Sequence, residues 1–306
     1  MGTEALVDFP SGGPLPAAWV TTAPSGDEAE AEALAARFGL CFQQRRGRSI
    51  EALLRDAEGA PLLVLAALSA ELHLPRAVSA SGGGPSAPSQ ASDATARSPA
   101  QQAGDAAARQ TFRASLGLAT LRLQRALTGE VDPLVLAAKL APGDRVLDAT
   151  LGLGGDALLA SFATRAPVVG LEQSPLLAAF TQVSLRRPGG AGPLLAAARE
   201  AGARVEVRCA EHGAALAALP SRSFDVVLFD PMFRLPSRAS SLFGLVRALA
   251  SDAPLTREVL REAQRVARRG VLVKDAAPGR ELGRLGLAPL PSRRFPRIVF
   301  GWSDAQ

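Results

Sequence analysis

The chain has 306 residues, which at roughly 150 per domain allows two domains or one large one. Its 47% hydrophobic and 21% charged residues exclude wholesale disorder and a fibrous repeat, and its longest apolar run, 62–68, is far short of the roughly 20 residues of a membrane helix. The net charge of +5 is uneven: residues 1–78 hold 6 basic and 10 acidic side chains and residues 111–306 hold 26 and 17, an excess that suits a polyanion, although 32 arginines against 2 lysines equally reflect a genome-wide compositional bias.

From the N-terminus, Glu4 and Asp8 stand where a secretory signal would carry an apolar stretch, so a cytoplasmic protein is expected. The lone cysteines, Cys41 and Cys209, fit that compartment and read as buried thiols. With His73 and His212 as the only histidines, no metal site is expected. Residues 18–22 read as a strand, 27–38 as a helix capped near Ser25, 50–57 as a helix and 62–68 as a buried strand, which makes 1–78 a small α/β domain. Arg45, Arg46 and Arg48 suit either a phosphate contact or a solvated turn around Gly47. Residues 79–110 contain no aromatic residue and few large aliphatics, the composition of a flexible linker.

The third segment, 111–306, opens with helical spacing over 112–127 and a second helix after Asp132-Pro133. Short apolar runs then alternate with helical stretches. Strands are predicted at 145–149, 168–172, 205–209, 224–229 and 271–274, with helices at 156–163, 175–186, 213–219 and 255–268. This alternation predicts a mostly parallel sheet covered on both faces, closed by a hairpin of 284–288 and 297–301.

Val146 to Ala157 (VLDATLGLGGDA) places a glycine-rich turn between a strand and a helix, where backbone amides face a ligand. Gly152, Gly154 and Ala157 satisfy the dinucleotide pattern G-x-G-x-x-A. Asp148, four positions before Gly152, discriminates: a carboxylate there opposes a pyrophosphate and suits a ligand carrying positive charge. The motif therefore resembles the first motif of class I S-adenosylmethionine-dependent methyltransferases. Glu172 ends the next strand, 20 residues beyond Gly152, where an acid accepts hydrogen bonds from ribose hydroxyls. Glu211 follows the third strand. Three acids at successive strand ends mark the edge where ligands of open α/β sheets bind.

The fourth strand runs into Asp230-Pro231-Met232-Phe233, which looks like the D/N-P-P-Y/F motif of amino-methyltransferases, in which a carboxylate and a loop carbonyl hold an exocyclic amine and an aromatic ring stacks on the base. The bland alternative is a strand-end turn with Phe233 capping the core.

VLDATLGLGGDALLAS, VVGLEQSP, FDVVLFDPMFRLPS and RVARRGVLVKD, in this order and spacing, resemble the small-subunit ribosomal RNA guanine-N2 methyltransferase J family over 112–302, and AWVTTAPS, LAARFGL and SIEALL resemble its small N-terminal domain. The resemblance implies a Rossmann-like, mostly parallel, seven-stranded class I methyltransferase sheet at 111–306. It implies that Asp148, Thr150, Gly152, Gly154, Glu172, Gln173 and Glu211 surround S-adenosyl-L-methionine, that Asp230, Pro231 and Phe233 surround the target amine, and that the partner is ribosomal RNA or the small ribosomal subunit, with no membrane and no metal. Gly155 departs from the arginine of characterised members, and Arg234 and Arg238 are the basic residues after the D-P-M-F motif. Arg257, Arg261, Arg265 and Arg268 suit an RNA-facing stripe, but Glu258 and Glu262 interleave as on a solvated helix face. The competing readings are an amino-methyltransferase of DNA adenine or a protein side chain, an NAD-dependent oxidoreductase, which Asp148 disfavours, and a catalytically silent RNA-binding protein.

Overall fold

A computed structural model of the chain describes residues 18–57, 60–75, 109–231, 249, 253–290 and 297–306. They fall into two compact units, one drawn from 15–113 and the other from 114–306.

Among the described residues the N-terminal unit has a five-stranded sheet and two helices. The strands are β1 (Trp19–Thr22), β2 (Cys41–Phe42), β3 (Leu62–Leu65), β4 (Ala70–Pro75) and β5 (Arg109–Arg113), in the order β2-β1-β3-β4-β5. β1 runs parallel to β2 and β3, whereas β4 and β5 are antiparallel additions. Helix α1 (Glu28–Phe38) starts where the Asp27 carboxylate accepts the amides of Ala29 and Glu30, two residues after the expected cap, and ends at Gly39 in the left-handed region. Helix α2 (Ile50–Asp56) is capped by Ser49. The expected helix over 112–127 loses its start to β5: Phe112 pairs with Leu72 and is buried, while Thr111 and Arg113 alternate outward. β5 also takes the last two residues of the stretch read as a linker; the rest of that stretch lies outside the described residues. Cys41 sits exposed on the edge strand β2 and Cys209 is half-buried, so neither is the buried thiol expected.

The C-terminal unit begins with α3 (Leu118–Leu127) and α4 (Pro133–Ala137), followed by β6 (Val146–Asp148), α5 (Gly155–Thr164), β7 (Val168–Glu172), α6 (Pro175–Arg186), α7 (Pro193–Ala203), β8 (Val205–Cys209), α8 (His212–Ala218), β9 (Phe224–Phe229), α9 (Arg257–Val266), β10 (Ala267–Ala276), α10 (Arg280–Leu285) and β11 (Ile298–Asp304). The sheet order is β11-β10-β9-β6-β7-β8, parallel except for β11. It has six strands among the described residues where seven were expected. The segment expected as the first strand of the closing hairpin, 284–288, starts in the last turn of helix α10, which is closed by Gly286 with φ +82°, and among the described residues beyond it Pro289 makes a single bridge, to Gly301. Proline has no N–H to extend a ladder.

The strands bury both faces. Leu147, Val227, Phe229, Val271 and Val273 pack with Leu216 of α8 and with Leu260, Ala263 and Val266 of α9. Their alternate neighbours, Val146, Val226, Leu228 and Leu272, face the other way and are equally buried. Each such large apolar side chain contributes about 1.5–3 kcal/mol. Among the described residues no helix is long and apolar enough to cross a membrane.

Candidate active site

Strand alternation brings the chemistry to one face of the sheet. Asp148 pairs in register with Gly170 and Leu228, and Leu228 with Leu272. Side chains two apart share a face, so Glu172, Asp148, Asp230 and Lys274 project to the same side at the carboxyl ends of β7, β6, β9 and β10. Cys209, the register partner of Glu172, extends the row onto β8.

The glycine loop is held to this row by its backbone. Glu172 accepts the Gly152 amide at 3.1 Å and the Ser174 amide at 2.8 Å, and the Thr181 hydroxyl donates to the Gly152 carbonyl at 2.6 Å. Gly154 has φ +73°, and a Cβ there would lie 3.1 Å from Thr181 Cγ2 and 3.2 Å from Leu185, so its place in the motif is both conformational and steric. Gly152, φ +50°, faces open space. Burial pushes the Glu172 carboxyl up to about 7 against the pull of the Ser174 and Gly152 amides.

Asp148 is 2% exposed. Its Oδ1 accepts the Thr150 amide at 3.1 Å, while its Oδ2 is buried with no hydrogen-bond partner among the described residues. Burial, and then the neighbouring Asp156 and Asp230 carboxylates, push it up to about 8, with Lys274 opposing. A buried, unsatisfied carboxylate oxygen costs about 1–3 kcal/mol unless something fills it.

Asp230 belongs to a chain of alternating charges that sequence reasoning missed. Its Oδ2 accepts from Lys274 Nζ at 2.5 Å, and the same ammonium donates to Asp156 Oδ2 at 3.1 Å. Arg122 of α3 donates to the other oxygen of Asp156 at 2.5 Å and binds Asp132 through two nitrogens at 2.8 and 2.9 Å. Burial alone would raise Asp156, but Lys274 and Arg122 outweigh it and hold that carboxyl at about 2. Lys274 is raised above the ordinary lysine range, since Asp156 and Asp230 outweigh its burial. Asp230 itself is raised, chiefly by burial, with Lys274 pulling the other way. Its main-chain N–H donates to Thr150 Oγ1 at 2.6 Å, which ties the loop after β9 to the loop after β6. Pro231 follows, half-buried; Met232, Phe233, Arg234 and Arg238 lie outside the described residues.

Other sequence candidates have structural duties. Glu211 caps α8, accepting the amides of Gly213 at 2.8 Å and Ala214 at 2.7 Å, which together with His212 outweigh its partial burial and hold its carboxyl below the usual range. The Gln173 carbonyl accepts from Cys209 Sγ at 3.7 Å, and burial pushes that thiol up to about 11. Arg261 and Arg265 pair with Glu258 and Glu262, and Arg257 binds the Arg284 carbonyl, so α9 is a braced face rather than a free basic stripe; Arg268 lies beyond that helix, on β10, and binds the Arg222 carbonyl. Arg45, Arg46 and Arg48 bond to neighbouring residues, namely the Arg48 carbonyl, Gln44 and Asp56. No cluster of His, Cys, Asp and Glu able to hold a metal ion is found among the described residues.

A mostly parallel Rossmann-like sheet with a glycine loop after one strand and strand-end acids on one face is the architecture of the class I methyltransferases. Residues 116–284 match the family model "Putative SAM-dependent methyltransferase", and the chain belongs to that family, whose cofactor is S-adenosylmethionine. The chain is 41% identical over 163 residues to the uncharacterised protein YpiP of Bacillus subtilis, covering 51% of this chain and 61% of that one. It is 34% identical over 152 residues to the ribosomal RNA small subunit methyltransferase J of Laribacter hongkongensis, covering 48% and 52%. It thus spans about half to three-fifths of the length of these curated relatives. A SAM-dependent methyltransferase of Neisseria gonorrhoeae shares the fold, with a TM-score of 0.55 at 17% identity over 94% of this chain and 95% of that one. The residues present fit the cofactor: S-adenosylmethionine carries an ammonium and a sulfonium, and the orphaned Asp148 oxygen beside a loop with open space at Gly152 is the environment such a cation needs.

Proposed function

We propose that this chain methylates an exocyclic amino group, guanine N2, of small-subunit ribosomal RNA. The observation that carries the reading is Asp230, a carboxylate at the end of β9, on the same sheet face as Asp148 and anchored by Lys274 and Thr150. Among the described residues three carboxylates, Asp132, Asp156 and Asp230, share two cations, Arg122 and Lys274, so this cluster is net negative. Such a site favours a neutral or cationic acceptor, an amine, over a carboxylate or phosphate. An exocyclic amine of a base is a poor nucleophile because its lone pair delocalises into the ring. Asp230 accepts its hydrogen, localises that pair and aims it, so the protein's contribution is alignment and charge stabilisation. Bound S-adenosylmethionine supplies the electrophilic methyl group. In this reading Asp148, Thr150, Gly152, Gly154, Glu172 and Gln173 hold the cofactor, with Glu211 at the rim, and Pro231 and Phe233 complete the acceptor side.

The choice of RNA rests on the identity to ribosomal RNA small subunit methyltransferase J and on the basic excess of 111–306. Mass-spectrometric mapping of small-subunit ribosomal RNA from a deletion strain, with restoration of the mark by purified protein, tests it. Loss of one N2-methylguanosine is the expected result. An unchanged RNA with methyl transfer to DNA adenine or a protein would move the target and keep the chemistry.

A further inference from the structure

We infer that Lys274 is a positioning residue for methyl transfer: clamped between Asp156 and Asp230, it fixes the Asp230 carboxylate with one oxygen turned inward and keeps it ionised for the acceptor. This rests on the reading of Asp230 as the group that holds the target amine. Among the described residues the Asp230 carboxylate has one partner, Lys274 Nζ on Oδ2. The lysine lies 44 positions away, on the neighbouring strand, where the Val273–Phe229 register sets the two side chains level. If Asp230 served only to turn the chain, local amides would suffice, as they do for Glu211. Instead a buried ammonium is brought to it, and that ammonium needs a second carboxylate, Asp156, itself braced by Arg122.

Accessibility falls along the chain of charges. The Asp230 side chain is 32% exposed, Lys274 14% and Asp156 9%, so of these three groups Asp230 is the most open to a substrate. Composition points the same way. In a chain with 32 arginines and 2 lysines, a lysine occupies this position. A compact ammonium with three rotatable donors bridges two carboxylates in a space where a planar guanidinium fork would need a different geometry.

The test has a free-protein arm and a turnover arm. In the first, the carboxyl carbons of 13C-labelled aspartate are titrated by NMR, with Asp230 assigned by the resonance lost in Asp230→Asn. Among the described residues the groups facing Asp230 are Asp148 from β6, Asp156 from α5, Arg122 from α3 and Lys274 from β10, and of these only the last is changed. In Lys274→Met the Asp230 midpoint is expected to rise by at least one pH unit, whereas in Lys274→Arg it stays near wild type. In the turnover arm, Lys274→Met lowers kcat by about 10–100-fold and moves the acid limb of kcat upward, with KM for S-adenosylmethionine within twofold of wild type. Lys274→Arg keeps the acid limb and loses part of kcat, because charge is retained and geometry is not. If Lys274→Met does not fold, Lys274→Gln, which keeps a donor and loses the charge, is read in its place. An Asp230 midpoint unchanged on loss of the ammonium overturns the inference, as does a wild-type kcat. Absence of ribosomal RNA methylation by the wild-type protein rejects the proposed function alone, and the free-protein titration still decides the role of Lys274.

Discussion

The two halves of the sheet's carboxyl edge satisfy their acids in different ways. On the β7–β8 side, Glu172 and Glu211 accept backbone amides, and three of those four amides lie two or three residues further along the chain. On the β9–β10 side, Asp230 and Asp156 are held by side-chain cations that arrive from 34 to 118 positions away. Asp148 lies between the halves with one oxygen satisfied locally and the other without a partner among the described residues. Local capping makes a rigid wall that forms with its own strand end. Long-range ion pairing makes a site whose charge and orientation depend on the whole sheet being assembled.

The sharpest way to break this contrast is to cut the ionic side at its root. Arg122→Met leaves Asp132 and Asp156 facing each other with half their compensation, and is expected to cost about 3–5 kcal/mol in urea unfolding, the penalty of stranding buried charge. A loss under 1 kcal/mol would mean that water satisfies these carboxylates and that the ionic side is no more integrated than the capped one.

Asp230→Ala is expected to lower methyl transfer by about 10²–10³-fold, or about 2.7–4 kcal/mol, with S-adenosylmethionine affinity by calorimetry nearly unchanged. Wild-type turnover in this variant would reduce the loop after β9 to a turn.

Asp148→Asn probes the seam between the halves. A carboxyl held up to about 8 in the folded chain keeps its proton there over a range where the unfolded chain has lost it. The folded state then binds more protons, and the wild-type free protein loses stability as pH rises from about 4 towards 8. Asp148→Asn should flatten that slope in thermal melts across the range. It should also weaken S-adenosylmethionine binding by about 1–3 kcal/mol, since ammonium binding draws on the ionised form. For the same reason wild-type cofactor affinity should rise with pH up to about 8, with proton release visible as a buffer-dependent binding enthalpy. Parallel slopes in mutant and wild type would remove Asp148 from the cation site.

On the capped side the effect is smallest. Glu211→Ala should cost about 1 kcal/mol of stability, the worth of a helix cap, with turnover within a few-fold of wild type. A loss of cofactor affinity larger than the loss of stability would show that Glu211 touches the cofactor as well as the helix.

The alternation of β6 to β10 with helices, the glycine loop and the strand-end acids could be read directly, because each is a pattern of period 2, of period 3.6 or of neighbouring residues. β7, β8, β9 and α6 lie at their expected positions for that reason. β5 could not be read, since RQTFR becomes a strand only by pairing with β4 across more than 30 residues, and the expected hairpin strand before β11 gives way to the end of α10 and a single bridge because Gly286 and Pro289 do not support a ladder there. Asp148, Glu172 and Asp230 were legible as acids at strand ends. Glu211 fits the same strand-end pattern, but the amides it accepts lie only two and three residues away, at the start of α8. Lys274, Asp156 and Arg122 carried no local signal: each is an ordinary charged residue in its own segment, and only the register of β9 with β10 and the packing of α3 and α5 bring their charges within 2.5–3.1 Å. Sequence by itself determined the class of fold and the row of acids along the sheet's carboxyl edge, because short-range geometry follows from the order of residues. The tertiary structure alone decided how the Asp230 carboxylate is held, because the Coulomb energy that holds it depends on distances in space that the chain closes only when folded.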